Sequence, residues 1–240
     1  MNVKHREKVV GILGGMGPEA TVDLFMKIIK ATPAKKDQDH LRIMIDNNPK
    51  IPDRTLAILG RGKSPLKQLQ ETLHNLERAG AEVIAIPCNT AHYYYNELQT
   101  STSVPIINMI SETATYIHNN CPNIKKIGLL ATTGTVKSRI YHKAMTGIEV
   151  VTPSDSEQEI VMNAIYGERG IKAGFTQGEP RSALLEVAKG LINKEVEAII
   201  MGCTEIPLVL NQKDLSVPLI DVLQVLARAV VRASGKFLPR

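Results

Sequence analysis

Two nine-residue stretches constrain this chain more than any other feature. The first is Glu82-Val83-Ile84-Ala85-Ile86-Pro87-Cys88-Asn89-Thr90, and the second is Glu197-Ala198-Ile199-Ile200-Met201-Gly202-Cys203-Thr204-Glu205. Each is a short apolar run that stops at a cysteine followed by hydroxyl, amide or carboxylate side chains. Runs this short, rich in Ile and Val and closed by turn residues, read as buried parallel strands. Ligands in open parallel sheets bind beyond the carboxyl ends of the strands, where both cysteines fall. The start of a following helix would also lower a thiol pKa there. The competing reading is that each cysteine is one more small buried residue. Two cysteines in the same local grammar, one per half of the chain, weigh against it.

Other landmarks repeat in the same order. Val10-Gly11-Ile12-Leu13-Gly14-Gly15-Met16-Gly17 aligns with Ile127-Gly128-Leu129-Leu130-Ala131-Thr132-Thr133-Gly134, and Val104-Pro105-Ile106-Ile107-Asn108 with Val217-Pro218-Leu219-Ile220-Asp221. A nearly constant offset of about 115 residues indicates an internal duplication of one α/β unit. The chain of 240 residues is long enough for two such units.

Composition removes several function classes. Hydrophobic residues at 43% and charged residues at 22% describe a soluble globular protein. No apolar run approaches the roughly 18 residues that cross a membrane. The basic start Met1-Asn2-Val3-Lys4-His5-Arg6-Glu7-Lys8 precedes an apolar run that stops at Gly14-Gly15, too short for a signal peptide. A net charge of +5 with scattered basic residues and 4% aromatics lacks the stripe or stacking platform of a nucleic-acid binder. Three cysteines without metal-ligand spacing point to reduced thiols in the cytoplasm and give no support to a zinc site.

Along the chain, residues 9–13 read as a strand entering the turn Gly14-Gly15-Met16-Gly17, with Pro18 and Glu19 suited to a helix start. Gly15 to Ala20 also fits G-x-G-x-x-A, the dinucleotide pattern. Its acidic partner belongs about 20 residues on, and Asp46, at the end of a strand over 41–45, lies well beyond that. A tight strand–helix turn and a backbone N–H nest for a carboxylate are the remaining readings. Asn47-Asn48-Pro49-Lys50-Ile51-Pro52-Asp53-Arg54 is a fixed loop, and Arg54 is either a carboxylate clamp or a solvated surface residue. His92, on a helix from about Ala91, is either a base near Cys88 or packing. Cys121, in Asn119-Asn120-Cys121-Pro122, ends a helix, has no repeat partner and is read as structural. Thr132-Thr133-Gly134-Thr135 makes an anion-binding turn or a helix cap. Lys172 lies in the glycine-bounded stretch 167–174 and either reaches a ligand or is solvated.

Four of these motifs together resemble the aspartate/glutamate racemase family, and the aspartate branch most closely. They are Gly14 to Thr21, Asn48-Pro49-Lys50-Ile51-Pro52-Asp53-Arg54, Pro87-Cys88-Asn89-Thr90-Ala91-His92 and Gly202-Cys203-Thr204-Glu205. The glutamate branch usually has Asp-Ser-Gly at the first turn and Cys-Thr-His at the second cysteine, where this chain has Gly15-Met16-Gly17 and Cys203-Thr204-Glu205. The resemblance implies two pseudo-twofold-related three-layer α/β domains with parallel sheets and an active site in the cleft between them. The expected domains are 1–107 with 221–240, and 108–220. Cys88 and Cys203 would be the two acid/base residues, without pyridoxal phosphate or metal. Asn89, Thr90, Thr132, Thr133, Thr135 and Thr204 would hold the α-carboxylate and amine, with Met16 of the first turn and Glu205 also at substrate-binding positions. Arg54 and Lys172 would recognise the carboxylates of a small acidic amino acid, aspartate first and glutamate alongside. A cytoplasmic homodimer is implied as well. Competing readings are a hydantoin racemase or maleate isomerase-like enzyme, a non-catalytic amino-acid-binding protein, and a redox role for the thiol pair.

Overall fold

The computed structural model describes residues 6–236; the first residues of the basic start, 1–5, lie outside that range. The chain forms an α/β fold with two parallel sheets of three and four strands. Strands β1 (Val10–Gly14), β2 (Ile43–Asn47) and β3 (Val83–Ala85) make the first sheet, in the order β2-β1-β3. Strands β4 (Lys126–Ala131), β5 (Glu149–Val151), β6 (Ala198–Gly202) and β7 (Leu219–Asp221) make the second, in the order β5-β4-β6-β7.

The duplication is visible strand by strand. An isolated parallel bridge, Ile84 to Ile106, occupies in the first sheet the place that β7 takes beside β6 in the second. Ile84 N–H donates to Pro105 O at 2.9 Å, and Ile199 N–H to Pro218 O at 2.9 Å. The glutamates that open the two stretches do the same work. Glu82 accepts from Val9 N at 3.0 Å, and Glu197 accepts from Lys125 N at 2.7 Å and Lys126 N at 2.9 Å. Each carboxylate satisfies backbone donors that a central strand would otherwise leave open at its start.

The central strands carry the core because both of their faces are covered. Every residue of β1, β3 and β6 is buried, which requires near-continuous apolar sequence. Strand β2 lies at a sheet edge, and Ile45 there is 42% exposed. It runs two residues further than the expected 41–45 because its register pairs Asp46 with Leu13 and Asn47 with Gly14. An edge strand tolerates those polar residues, since one of its sides meets solvent.

Contacts divide the chain into two compact units. One comprises the described residues of Met1–Asp53, Lys63–Glu112 and Leu223–Arg240; the other comprises Arg54–Gly62 and Thr113–Val222. This division assigns residues 54–62 to the second unit, although they precede most of it in sequence. The reason is local: the short helix Arg54–Ile58 packs against the helix Thr133–Ser138.

Candidate active site

In each unit, the turn after the first strand and the cysteine lie at the same end of adjacent strands. In the first unit Ile12 pairs with Ala85, so Gly14-Gly15 and Pro87-Cys88 emerge side by side. In the second unit Ala131 pairs with Gly202, so Thr132 and Cys203 follow directly opposed residues. Both cysteines are free and buried, whereas Cys121 is partly exposed.

The glycine turn is tightly built. Gly15 has φ +95°, and a Cβ there would meet the Asn48 backbone at 2.4–2.6 Å, so only glycine fits without displacing that loop. Gly15 N–H donates to Thr21 Oγ1 at 2.9 Å, which removes this amide from any carboxylate-binding nest. Met16 is buried beside it. Asn48 holds the loop by accepting from Lys50 N at 3.0 Å and donating to Thr72 Oγ1 at 3.0 Å.

Cys88 does not stand at the start of an α-helix. The ladder of β3 stops at Ala85, Pro87 offers no N–H, and Cys88 N–H turns back to Ile86 O at 2.8 Å. A 3-10 turn, Thr90–Tyr94, follows, and an α-helix begins only at Tyr95. Asn89 and Thr90 are buried. His92 Nδ1 lies 2.9 Å from Cys88 O, and His92 Nε2 accepts from Met109 N at 3.1 Å. Both ring nitrogens thus meet backbone, which favours packing over a free base.

Cys203 departs further from expectation. Only a three-residue 3-10 turn, Ile206–Leu208, follows it, so there is no helix of useful length to draw the thiol pKa down. Its Sγ–H donates instead to Glu205 Oε2 at 3.0 Å. Burial pushes the thiol pKa up well above its ordinary range, and the Glu205 carboxylate adds to that rise. The carboxylate of Glu205, 3% exposed, also accepts from Thr204 Oγ1 at 3.2 Å and pairs with Lys172 Nζ. Burial alone would raise the Glu205 pKa, but the Lys172 charge and the hydrogen bonds it receives lower it overall. Cys203 therefore holds its proton against an ionised carboxylate that is itself neutralised by a lysine. Lys172 also lies over the Tyr166 ring, 5.4 Å from its centroid.

The threonine turn beside Cys203 works first as a cap. Thr132 Oγ1 accepts from Thr135 N at 3.4 Å and lies 3.2 Å from Thr135 Oγ1. Thr133 N–H meets Met162 Sδ at 3.2 Å, and Thr133 Oγ1 accepts from Gln158 Nε2 at 3.3 Å. Gln158 also donates to Ala131 O at 2.9 Å, tying the end of β4 to this turn. No motif pointed to Gln158; it follows an ordinary Ser154–Glu157 capping box. Arg54 is 8% exposed, which rules out the solvated surface reading. Its helix packs on the one that Thr132 caps. Among the described residues, no group of three His, Cys, Asp or Glu side chains is arranged to hold a metal ion.

The family described as Asp/Glu/Hydantoin racemase matches residues 13–230. The chain belongs to this family. It is 32% identical over 230 residues to the broad specificity amino-acid racemase RacX of Bacillus subtilis, covering 93% of this chain and 96% of that one. Among solved structures, Picrophilus torridus aspartate racemase superposes with a TM-score of 0.86 at 36% identity, covering 97% of this chain and 96% of the other. An aspartate racemase homologue from Pyrococcus horikoshii gives 0.73 at 29% identity, covering 95% and 100%. Glutamate racemase from Francisella tularensis gives 0.67 at 19% identity, covering 95% and 81%, and shares the fold. The family is one of racemases, and this chain is an amino-acid racemase within it.

Proposed function

We propose that this racemase interconverts L- and D-aspartate, with glutamate as a second substrate, by two-base proton transfer between Cys88 and Cys203. The observation that carries the reading is the Cys203–Glu205–Lys172 chain: a buried thiol with its proton held by a buried, ionised carboxylate. A binding protein has no need of that arrangement.

The reaction demands a base on one face of the α-carbon and an acid on the other. An ordinary thiol has pKa near 8.5, and about a few per cent is thiolate at neutral pH. Cys203 donates its proton in a hydrogen bond to Glu205 Oε2, and in the proposed mechanism Cys88 is its counterpart on the other face. For one enantiomer Cys203 must become the base, and Glu205 is the group bonded to its proton. Without a cofactor, only the substrate's own carboxylate can spread the carbanion charge. Hydrogen bonds and positive charge directed at that carboxylate then supply most of the rate. Asn89, Thr90, Thr132, Thr133, Thr135 and Thr204, with Met16 of the first turn, are the proposed donors and lining groups. Arg54, and Lys172 when released from Glu205, are the proposed carboxylate partners. Both thiols must reach one substrate in this mechanism.

Buried Arg54 and the cationic Lys172 favour a substrate with carboxylates, such as an acidic amino acid, over an uncharged hydantoin. The direct test is loss of optical rotation from pure L- and D-aspartate, with glutamate alongside, in chelator and without added cofactor. Arg54→Ala is expected to lower kcat/KM for aspartate by about one to two orders of magnitude, because a charge-assisted bond is worth roughly 1.5–3 kcal/mol. Wild-type-like kinetics in a folded variant would remove Arg54 from the site. Activity is also expected to survive hydroxylamine and EDTA; reproducible loss under either would overturn the two-thiol mechanism. The proposal extends to a homodimer in the cytoplasm. All three cysteines are free, and among the described residues no helix is long and apolar enough to cross a membrane.

A further inference from the structure

We propose that His92 is a positioning residue for Cys88, acting as a neutral imidazole of fixed tautomer that replaces the sheet hydrogen bonds missing beyond β3. This rests on the reading of Cys88 as a reacting thiol. The ring is 5% exposed and sits four residues after Cys88 on the 3-10 turn Thr90–Tyr94. A peptide carbonyl can only accept and a peptide N–H can only donate. Nδ1, at 2.9 Å from Cys88 O, therefore carries the proton, and Nε2, at 3.1 Å from Met109 N, presents its lone pair. Burial lowers the ring's pKa, with the Cys88 and Ile107 backbone groups acting in the opposite sense. A proton on Nε2 would displace the hydrogen bond that Met109 N–H makes to it.

The backbone explains why such a clamp is needed. Strand pairing ends at Ala85, and the Cys88 amide bonds only two residues back, to Ile86 O. His92 ties the Cys88 carbonyl to Met109, the fully buried first residue of the helix Met109–Asn120. The cysteine thereby takes its position from a packed helix instead of from a loop. Misplacing a reacting group by about 1 Å can cost on the order of a hundredfold in rate.

Asparagine and glutamine separate the two bonds of the ring. Asn places its amide near Nδ1 and can still donate to Cys88 O; Gln reaches the Nε2 position and can serve only Met109. Folded H92N is expected to keep kcat for aspartate within several-fold of wild type. Folded H92Q is expected to lose on the order of 10–100-fold in kcat with KM little changed. Nitrogen-15 NMR of the wild-type ring should show the Nδ1–H tautomer unchanged from pH 5 to 8. An H92Q variant that turns over as fast as H92N, or an imidazole that titrates in that range, would overturn the inference. Cys88→Ser is measured in parallel. If C88S racemises at the wild-type rate, the reading of Cys88 fails and this inference with it. If C88S is inactive while H92Q matches H92N, only the inference fails.

Discussion

Cys88→Ser and Cys203→Ser are each expected to lower aspartate racemisation by on the order of 10²–10⁴-fold, the range that one positioned acid or base contributes. Serine keeps the shape of the side chain but is a far poorer base at neutral pH. Cys121→Ser is expected to leave the rate unchanged, since that thiol ends a helix and is partly exposed. The α-carbon loses a proton on one face and the resulting carbanion gains one on the other, so the proposed mechanism needs a base on one side and an acid on the opposite side. Each single variant keeps one base and should exchange the α-proton of one enantiomer only, with opposite preferences. NMR loss of the α-proton signal in D₂O, for L- and D-aspartate, reads this directly. A folded C88S or C203S variant that racemises at the wild-type rate would contradict the assignment.

Glu205→Gln carries the second large effect. Glutamine preserves volume but cannot take a proton from Cys203 or hold Lys172 as an ion pair. Racemisation is expected to fall on the order of a hundredfold or more. The loss should be one-sided: exchange disappears for the enantiomer that C88S still exchanges, because that enantiomer relies on Cys203. Exchange of the other enantiomer, which relies on Cys88, should persist. Removing one partner of a buried ion pair costs stability. The E205Q/K172M double variant and circular dichroism therefore accompany the single change. Equal impairment of both enantiomers would mean that Glu205 supports the site as a whole and not the Cys203 proton.

The strands and the cysteines were legible because buried parallel strands need apolar runs, and a run of Ile and Val that stops at Cys88 or Cys203 can end in few ways. The repeat added what no single run could, and the shared strand order of the two sheets reflects it. The thiol environment was not legible. A following helix start was expected to lower each thiol pKa, but short 3-10 turns stand there instead. What acts on Cys203 is Glu205, two residues on, and Lys172, 33 residues before Glu205. No local pattern announces a pairing across that distance. The burial of Arg54 was hidden for a similar reason. Arginine is mostly exposed as a residue type, and only the packing of Arg54–Ile58 on Thr133–Ser138 encloses it. Thr132 shows the reverse ambiguity, since its hydroxyl suits an anion and a helix cap alike and the fold uses the cap. His92 was the recoverable case. Its spacing of four from Cys88 was visible, but the Met109 amide that fixes its tautomer comes from another segment.

The central claim is that two different thiols handle the two faces of the α-carbon. Wild-type enzyme is incubated with pure L-aspartate in D₂O and stopped at low conversion. The two enantiomers are then separated and their deuterium content at the α-carbon is measured. Two-base transfer predicts deuterium at the α-carbon of the newly formed D-aspartate and protium in the remaining L-aspartate, with the mirror result from D-aspartate. Protium carried into the product, or deuterium appearing equally in the unconverted substrate, would mean that one base serves both faces and would contradict the account.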